Sequence, residues 1–180
     1  MTLTQYKKVI KSLSREELEA HLFEMFKSSK LFKDIESCYW SEESKEELLD
    51  DLRKRLGKVF WKENFSLSEC KGVLNEHLGR TVDERTKALM HLAFSAEAVN
   101  LSATFGDFGE SFYNSLVSSA EKYLDYAKLH PDFFSLHEEE FEEIVFAAEP
   151  LGYGVGDDLD VMLDDARTEL GYYDDPGEDE

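Results

Sequence analysis

Apolar positions recur along this chain with the spacing of helices. Leu18, Leu22, Met25 and Phe26 form one stripe; Leu48, Leu52, Leu56, Val59 and Phe60 a second; Phe112, Leu116, Ala120, Tyr123 and Ala127 a third; Leu159, Leu163, Ala166 and Leu170 a fourth. No comparable run alternates with the period of two that a half-buried strand requires. Hydroxyl and carboxylate pairs at capping-box spacing precede most of these stripes: Ser14-x-x-Glu17, Ser44-x-x-Glu47, Ser66-x-x-Glu69, Thr81-x-x-Glu84 and Ser135-x-x-Glu138. Gly79, Gly106, Gly109, Pro131, Pro150 and the turn Gly152-Tyr153-Gly154 fall between the periodic segments, where helix breakers belong. The pattern predicts an all-α domain of seven to eight antiparallel helices, in a bundle or a short irregular stack of helix pairs. The starts are too unevenly spaced for a true repeat.

One segment, around residues 85–105, differs from the rest. Glu97 is its only charged residue between Ala88 and Phe105. Leu89, Leu92, Ala96, Val99 and Ala103 fall on one side, and Met90, Phe94, Leu101 and Phe105 on another. A helix apolar on two sides lies between neighbours, so this segment is predicted to be the buried central helix. His91 and Ser95, four apart, share its narrow polar strip and read as a core histidine bonded to a nearby hydroxyl or carbonyl.

Composition fits a single folded domain. The chain has 180 residues, 42% of them hydrophobic, with 13 Phe, 8 Tyr and 2 Trp, which is too apolar for a disordered polyelectrolyte. Charge changes the picture more. The formal net charge is -20, and up to residue 90 basic and acidic side chains balance at 17 each, while 3 bases face 23 acids after it. The beginning of the chain has lysines but no apolar core of a signal segment, and no stretch is long enough to span a bilayer, so a cytoplasmic protein without membrane attachment is expected. Cys38 and Cys70 then read as free thiols rather than a disulfide.

The acidity has local structure. On a helix, Glu138, Glu139, Glu140, Glu142 and Glu143 sweep one arc, and Phe141, Ile144, Val145 and Ala148 the complementary one. Asp157, Asp158 and Asp160 suit the first turn of the last helix, where the partial positive charge of a helix N-terminus favours carboxylates. Asp164, Asp165 and Glu169 lie toward its C-terminus and have no such reason to be there. Glu138, Glu139, Glu142, Glu143, Asp164 and Asp165 are therefore the candidate partner-binding face. Gly171 reads as a C-cap, which places the domain over residues 1–171 and an aperiodic, disordered acidic tail over 172–180.

Recognisable catalytic chemistry is scarce. His21, His77, His91, His130 and His137 form no metal-ligand pair, and the Cys70 to His77 spacing matches no zinc geometry. Asp157-Asp158-Leu159-Asp160 is out of register for a calcium loop. Gly152-Tyr153-Gly154-Val155-Gly156 follows a helix and leads into carboxylates that repel phosphate. No metal, cofactor or catalytic residue is expected, and an enzyme would need a site built from distant residues such as His91, Asp107, Glu110 and His130. Direct nucleic-acid binding is disfavoured by the net charge. The local basic stretch Arg53, Lys54, Arg55, Lys58 and Lys62 is expected to pair with acids of its own or a neighbouring helix.

The run from Phe105 through Gly106-Asp107-Phe108-Gly109-Glu110-Ser111-Phe112-Tyr113-Asn114-Ser115 to Leu116, the opening Leu13-Ser14-Arg15-Glu16-Glu17-Leu18 and the turn Gly152-Tyr153-Gly154 resemble a small bacterial family described only as a domain of unknown function. The resemblance spans about residues 5–170. It implies a helical, bacterial, cytoplasmic protein and supplies no catalytic residues. The expected function is a protein-interaction module that engages a basic protein through its acidic half. The alternatives are a nucleic-acid-mimicking inhibitor of a DNA- or RNA-binding protein and an enzyme whose site is not visible in sequence. Oligomeric state has no signature in the chain.

Overall fold

The computed structural model describes residues 1–172, and these form nine helices and no strand. They are α1 (Leu3–Ser12), α2 (Arg15–Ser28), α3 (Lys30–Trp40), α4 (Glu42–Phe60), α5 (Leu67–Leu78), α6 (Glu84–Phe105), α7 (Glu110–Ala127), α8 (Pro131–Ala148) and α9 (Val155–Glu169). Short connections keep consecutive helices antiparallel from α4 onward. α4, α6 and α8 pack in one row, and α5, α7 and α9 each pack on members of that row. In the second row α7 meets α9, whereas α5 and α7 share no substantial interface. The result is a short stack of helix pairs.

Local chemistry explains where the helices begin. Thr2 and Ser14 form complete capping boxes with Gln5 and Glu17, so the side chain and backbone of each pair satisfy one another's exposed groups. Ser66 caps α5 as its spacing predicts. Three expected starts move. Ser41, not Ser44, caps α4. Asp83, not Thr81, caps α6; its carboxylate accepts from both the Thr86 amide and the Thr86 hydroxyl, and Thr81 Oγ1 instead accepts from the Asp83 amide. Ser135 lies one turn inside α8, because Pro131 occupies the first turn with its φ already set for a helix and no amide to leave unpaired. The count exceeds the expected seven to eight because the short N-terminal elements resolve as α1, α2 and α3.

α6 is the central helix. It packs against α4, α5, α7 and α8, and Met90, Leu92, Phe94, Ala98, Val99 and Leu101 are buried. Full burial of one such side chain contributes about 1.5–3 kcal/mol relative to leaving it in water. Ala103 and Phe105 depart from expectation, being exposed at the end of the helix where Phe105 meets Trp61 edge-on at 5.7 Å, and Leu89 and Ala96 are only partly buried. The second, third and fourth stripes enter the core as predicted, except that Leu170 is only partly buried.

The first stripe does not enter the core. α1 and α2 bury no residue at all, and α3 buries only Cys38. Leu22, Phe23, Met25 and Phe26 remain exposed. The helical periodicity is right, but these helices form an arm joined to the body through α3 on α4. At the other end Tyr172, expected in the tail, packs on α8: its hydroxyl lies 2.7 Å from Ser135 Oγ and its ring meets Phe134 edge-on at 5.6 Å. The ordered body therefore extends at least to residue 172, and the remainder of the expected tail, 173–180, lies outside the described residues.

Candidate functional site

The six carboxylates of the candidate acidic face divide into groups. Glu138 and Glu142 turn toward α9, where Arg167 takes both: its Nε donates to Glu138 Oε1 at 2.8 Å and its Nη2 to Glu142 Oε1. Burial penalises the Arg167 charge, yet these two carboxylates overcome that penalty and raise its pKa. Asp164 and Asp165 are exposed on α9, Asp164 one turn before Arg167. Glu139 and Glu143, one turn apart on α8, are exposed and form no ion pair among the described residues. Phe146, 73% exposed, continues their stripe by a further turn. The structure thus interrupts the acidic surface with a buried-edge arginine and places an aromatic ring beside its unpaired part.

A second open surface lies on the arm. Leu22, Phe23 and Phe26 from α2 face Phe32 and Trp40 from α3 across a groove of about 500 Å³. Trp40 is largely exposed at its edge, with its Nε1 donating to Glu36 Oε2 at 3.0 Å.

Three of the five bases in the stretch 53–62 pair with acids as expected, while Lys54 and Lys58 form no ion pair among the described residues. Arg55 makes a bidentate pair with Glu76 on α5 at 2.6 and 2.7 Å, which lowers the carboxyl pKa of Glu76. Lys62 pairs with Glu69, and Arg53 reaches Glu140 at 4.0 Å. The partners come from neighbouring helices rather than from α4 itself.

The histidines lie in separate places, and His137 Nε2 is buried without a hydrogen-bond partner among the described residues. His77 is fully buried, with Nδ1 2.8 Å from the Val73 carbonyl and Nε2 2.9 Å from Asp51 Oδ2. The His77 bond, helped by Arg80, holds the Asp51 carboxyl below its usual pKa. Arg80 also bonds Asp34, so one polar network ties α3, α4 and α5. His130 Nδ1–H donates to the Tyr126 carbonyl at 2.8 Å, and its ring stacks on Tyr126. His137 is partly buried, which depresses its pKa despite Glu140 nearby. Burial raises the thiol pKa of Cys38 and takes that of Cys70 to about 12, so neither is an activated nucleophile.

His91 is bonded as its position predicts. Its Nδ1 lies 2.9 Å from Ser119 Oγ, while the Ser119 and Ser95 hydroxyls both approach the His91 carbonyl, at 3.2 and 3.1 Å. The partner hydroxyl comes from α7, which sequence spacing alone does not identify. Burial, with Lys122 nearby, lowers the His91 pKa to about 4. Asp107 accepts from the Gly109 amide at 2.6 Å in the α6–α7 turn. α6 ends at Phe105, 14 residues beyond His91 and about 21 Å along the helix, so the four distant residues considered for an enzyme do not converge.

No protein-family model, curated protein or solved structure matches the chain. Among the described residues no helix is long and apolar enough to cross a membrane.

Proposed function

We propose that this chain is a protein-interaction module that receives a basic protein segment on the outer face of α8. The observation that carries the reading is the placement of exposed Phe146 on the same stripe as the unpaired Glu139 and Glu143. Carboxylates speed encounter with a basic surface and suppress acidic partners. An aromatic face beside them adds a platform on which an arginine or lysine gains cation–π attraction of about 0.5–2 kcal/mol. The long-range field of a chain with a net charge of -20 favours the same class of partner.

A nucleic-acid mimic needs carboxylates at phosphate-like spacing on one unbroken face. Arg167, by drawing Glu138 and Glu142 into an intramolecular bridge, favours the basic-protein reading over that one.

The test uses an arginine-rich peptide and an uncharged peptide of equal length as probes, followed by fluorescence anisotropy. The protein should bind the basic peptide at low salt and progressively less as salt rises. The variant Glu139→Gln/Glu143→Gln/Phe146→Ala, which leaves the Arg167 bridge intact, should bind at least about tenfold more weakly, a loss of roughly 1.4 kcal/mol or more. Equal affinity of parent and variant at every salt concentration would remove α8 as the binding face.

A further inference from the structure

A second feature stands apart from the acidic surface. Where α5 and α7 both lie on α6 without packing on one another, they leave a cleft of about 430 Å³. From the geometry of this cleft we infer a binding site for a small phosphorylated metabolite carrying a ribose-like polyol, such as a sugar phosphate or nucleoside monophosphate.

The lining has a composition unlike the rest of the molecule. α7 contributes Ser111, Asn114, Ser115, Ser118, Ser119 and Lys122, a stripe at three- and four-residue intervals running about 16 Å along the helix. Lys71 and Asn75 face it from α5. Acids outnumber bases 40 to 20 in the chain, yet the lining contains no carboxylate. Lys71 and Lys122 form no ion pair among the described residues. The contrast is sharpest for Lys122: of the three bases beyond residue 90, Lys128 is held by Glu169 and Arg167 by Glu138 and Glu142, leaving Lys122 as the one without a carboxylate partner among the described residues. Two cations on opposite walls, with the Ser111 and Ser118 hydroxyls and the Asn75 and Asn114 amides as further donors, suit a tetrahedral anion with several acceptor oxygens. The walls lack the arginine fork that matches a planar carboxylate.

The base of the cleft holds a polar pair already in place. His91 is 8% exposed and Ser119 4%. With the Ser119 hydroxyl donating to the His91 carbonyl, Nδ1–H donates to Ser119 Oγ. The neutral ring then leaves Nε2 as an acceptor that no described residue uses. A ligand hydroxyl reaching the base of the cleft would donate to it. Leu74 and Phe94 give an apolar floor for the carbon skeleton, and Lys71 Nζ, 3.4 Å from Ser115 Oγ across the gap, stands at the mouth. The volume falls within the range of small-molecule sites.

Calorimetric titration of the full chain at low ionic strength with ribose 5-phosphate and with adenosine monophosphate tests the inference, with ribose, adenosine and citrate as controls. At least one of the phosphate compounds should bind, more tightly than its unphosphorylated parent and than citrate. Lys71→Ala and Lys122→Ala should each weaken that binding about tenfold with an unchanged melting temperature, since both side chains are exposed. The His91 ring resonances should shift on binding. Absence of binding by both phosphates at millimolar concentration, preference for citrate, or undiminished binding by the Lys71→Ala/Lys122→Ala double variant would overturn it. None of these substitutions touches α8, so this site and the basic-partner face stand or fall separately.

Discussion

At the scale of single residues, the interior is specified by a few positions with no alternative. Gly156 is one: a methyl group there would stand 2.8 Å from the Glu149 Cα and 3.0 Å from the Ala148 carbonyl, so only glycine lets the start of α9 meet the end of α8. His91 is constrained differently, by burial, and that burial has a measurable consequence. Its folded pKa of about 4 lies below the ordinary 6.5, so the unfolded chain takes up a proton that the folded chain refuses. Stability from this residue is therefore complete above pH 6.5 and declines as the pH falls toward 4. Between pH 7 and pH 5 the protein should lose about 2 kcal/mol relative to His91→Gln, read from urea unfolding of both proteins at each pH. Equal losses in the two would mean that the ring is not desolvated. Depressed carboxylates such as Asp51 and Glu76 act in the same direction but only below their ordinary range, so they leave the window between pH 5 and 7 to His91 and His137, whose pKa values burial lowers.

At the scale of elements, α1–α2 and α4–α9 obey different rules. The body is held by buried apolar faces, whereas α1 and α2 owe their ends to capping boxes and contribute nothing to the core. Removal of residues 1–28, which leaves Ser29 to cap α3, should change the melting temperature of the body by no more than a few degrees by calorimetry. A large fall would show that the arm folds back on the body in solution. This division also marks how far elements are legible in sequence. The stripes of α4, α7 and α9 could be read because their apolar periodicity coincides with burial. In α2 the same periodicity exists without burial, and periodicity cannot tell a covered stripe from an uncovered one. The start of α1 carries Thr2-x-x-Gln5, a box closed by an amide rather than a carboxylate, and α3 has Phe32 where a box needs Glu or Gln, so its start offers no such signature.

At the scale of the whole molecule, net charge and tertiary register govern. Repulsion among the acids raises the energy of the folded state, while exposed pairs such as Arg15–Glu19 add little. Raising sodium chloride from low salt to about 0.5 M should therefore increase the melting temperature by screening. A decrease would mean that bidentate or networked pairs, Arg55–Glu76 and Arg167 with its two glutamates, outweigh the repulsion. The charged arc of α8 was legible residue by residue, but its division by Arg167 was not, because the partner lies 25 and 29 residues away. The cleft between α5 and α7 was hidden for the same reason, although the acid-free stripe from Ser111 to Lys122 within an acidic half is a signal that sequence carries. The order of packing has a consequence for how the chain is made. Every substantial interface joins a helix to its first or second neighbour in sequence. As synthesis proceeds, each new helix finds its principal contacts among the two just completed, and no finished helix waits on a distant segment. Folding can follow the ribosome step by step, and the long-range searches that slow other topologies are absent.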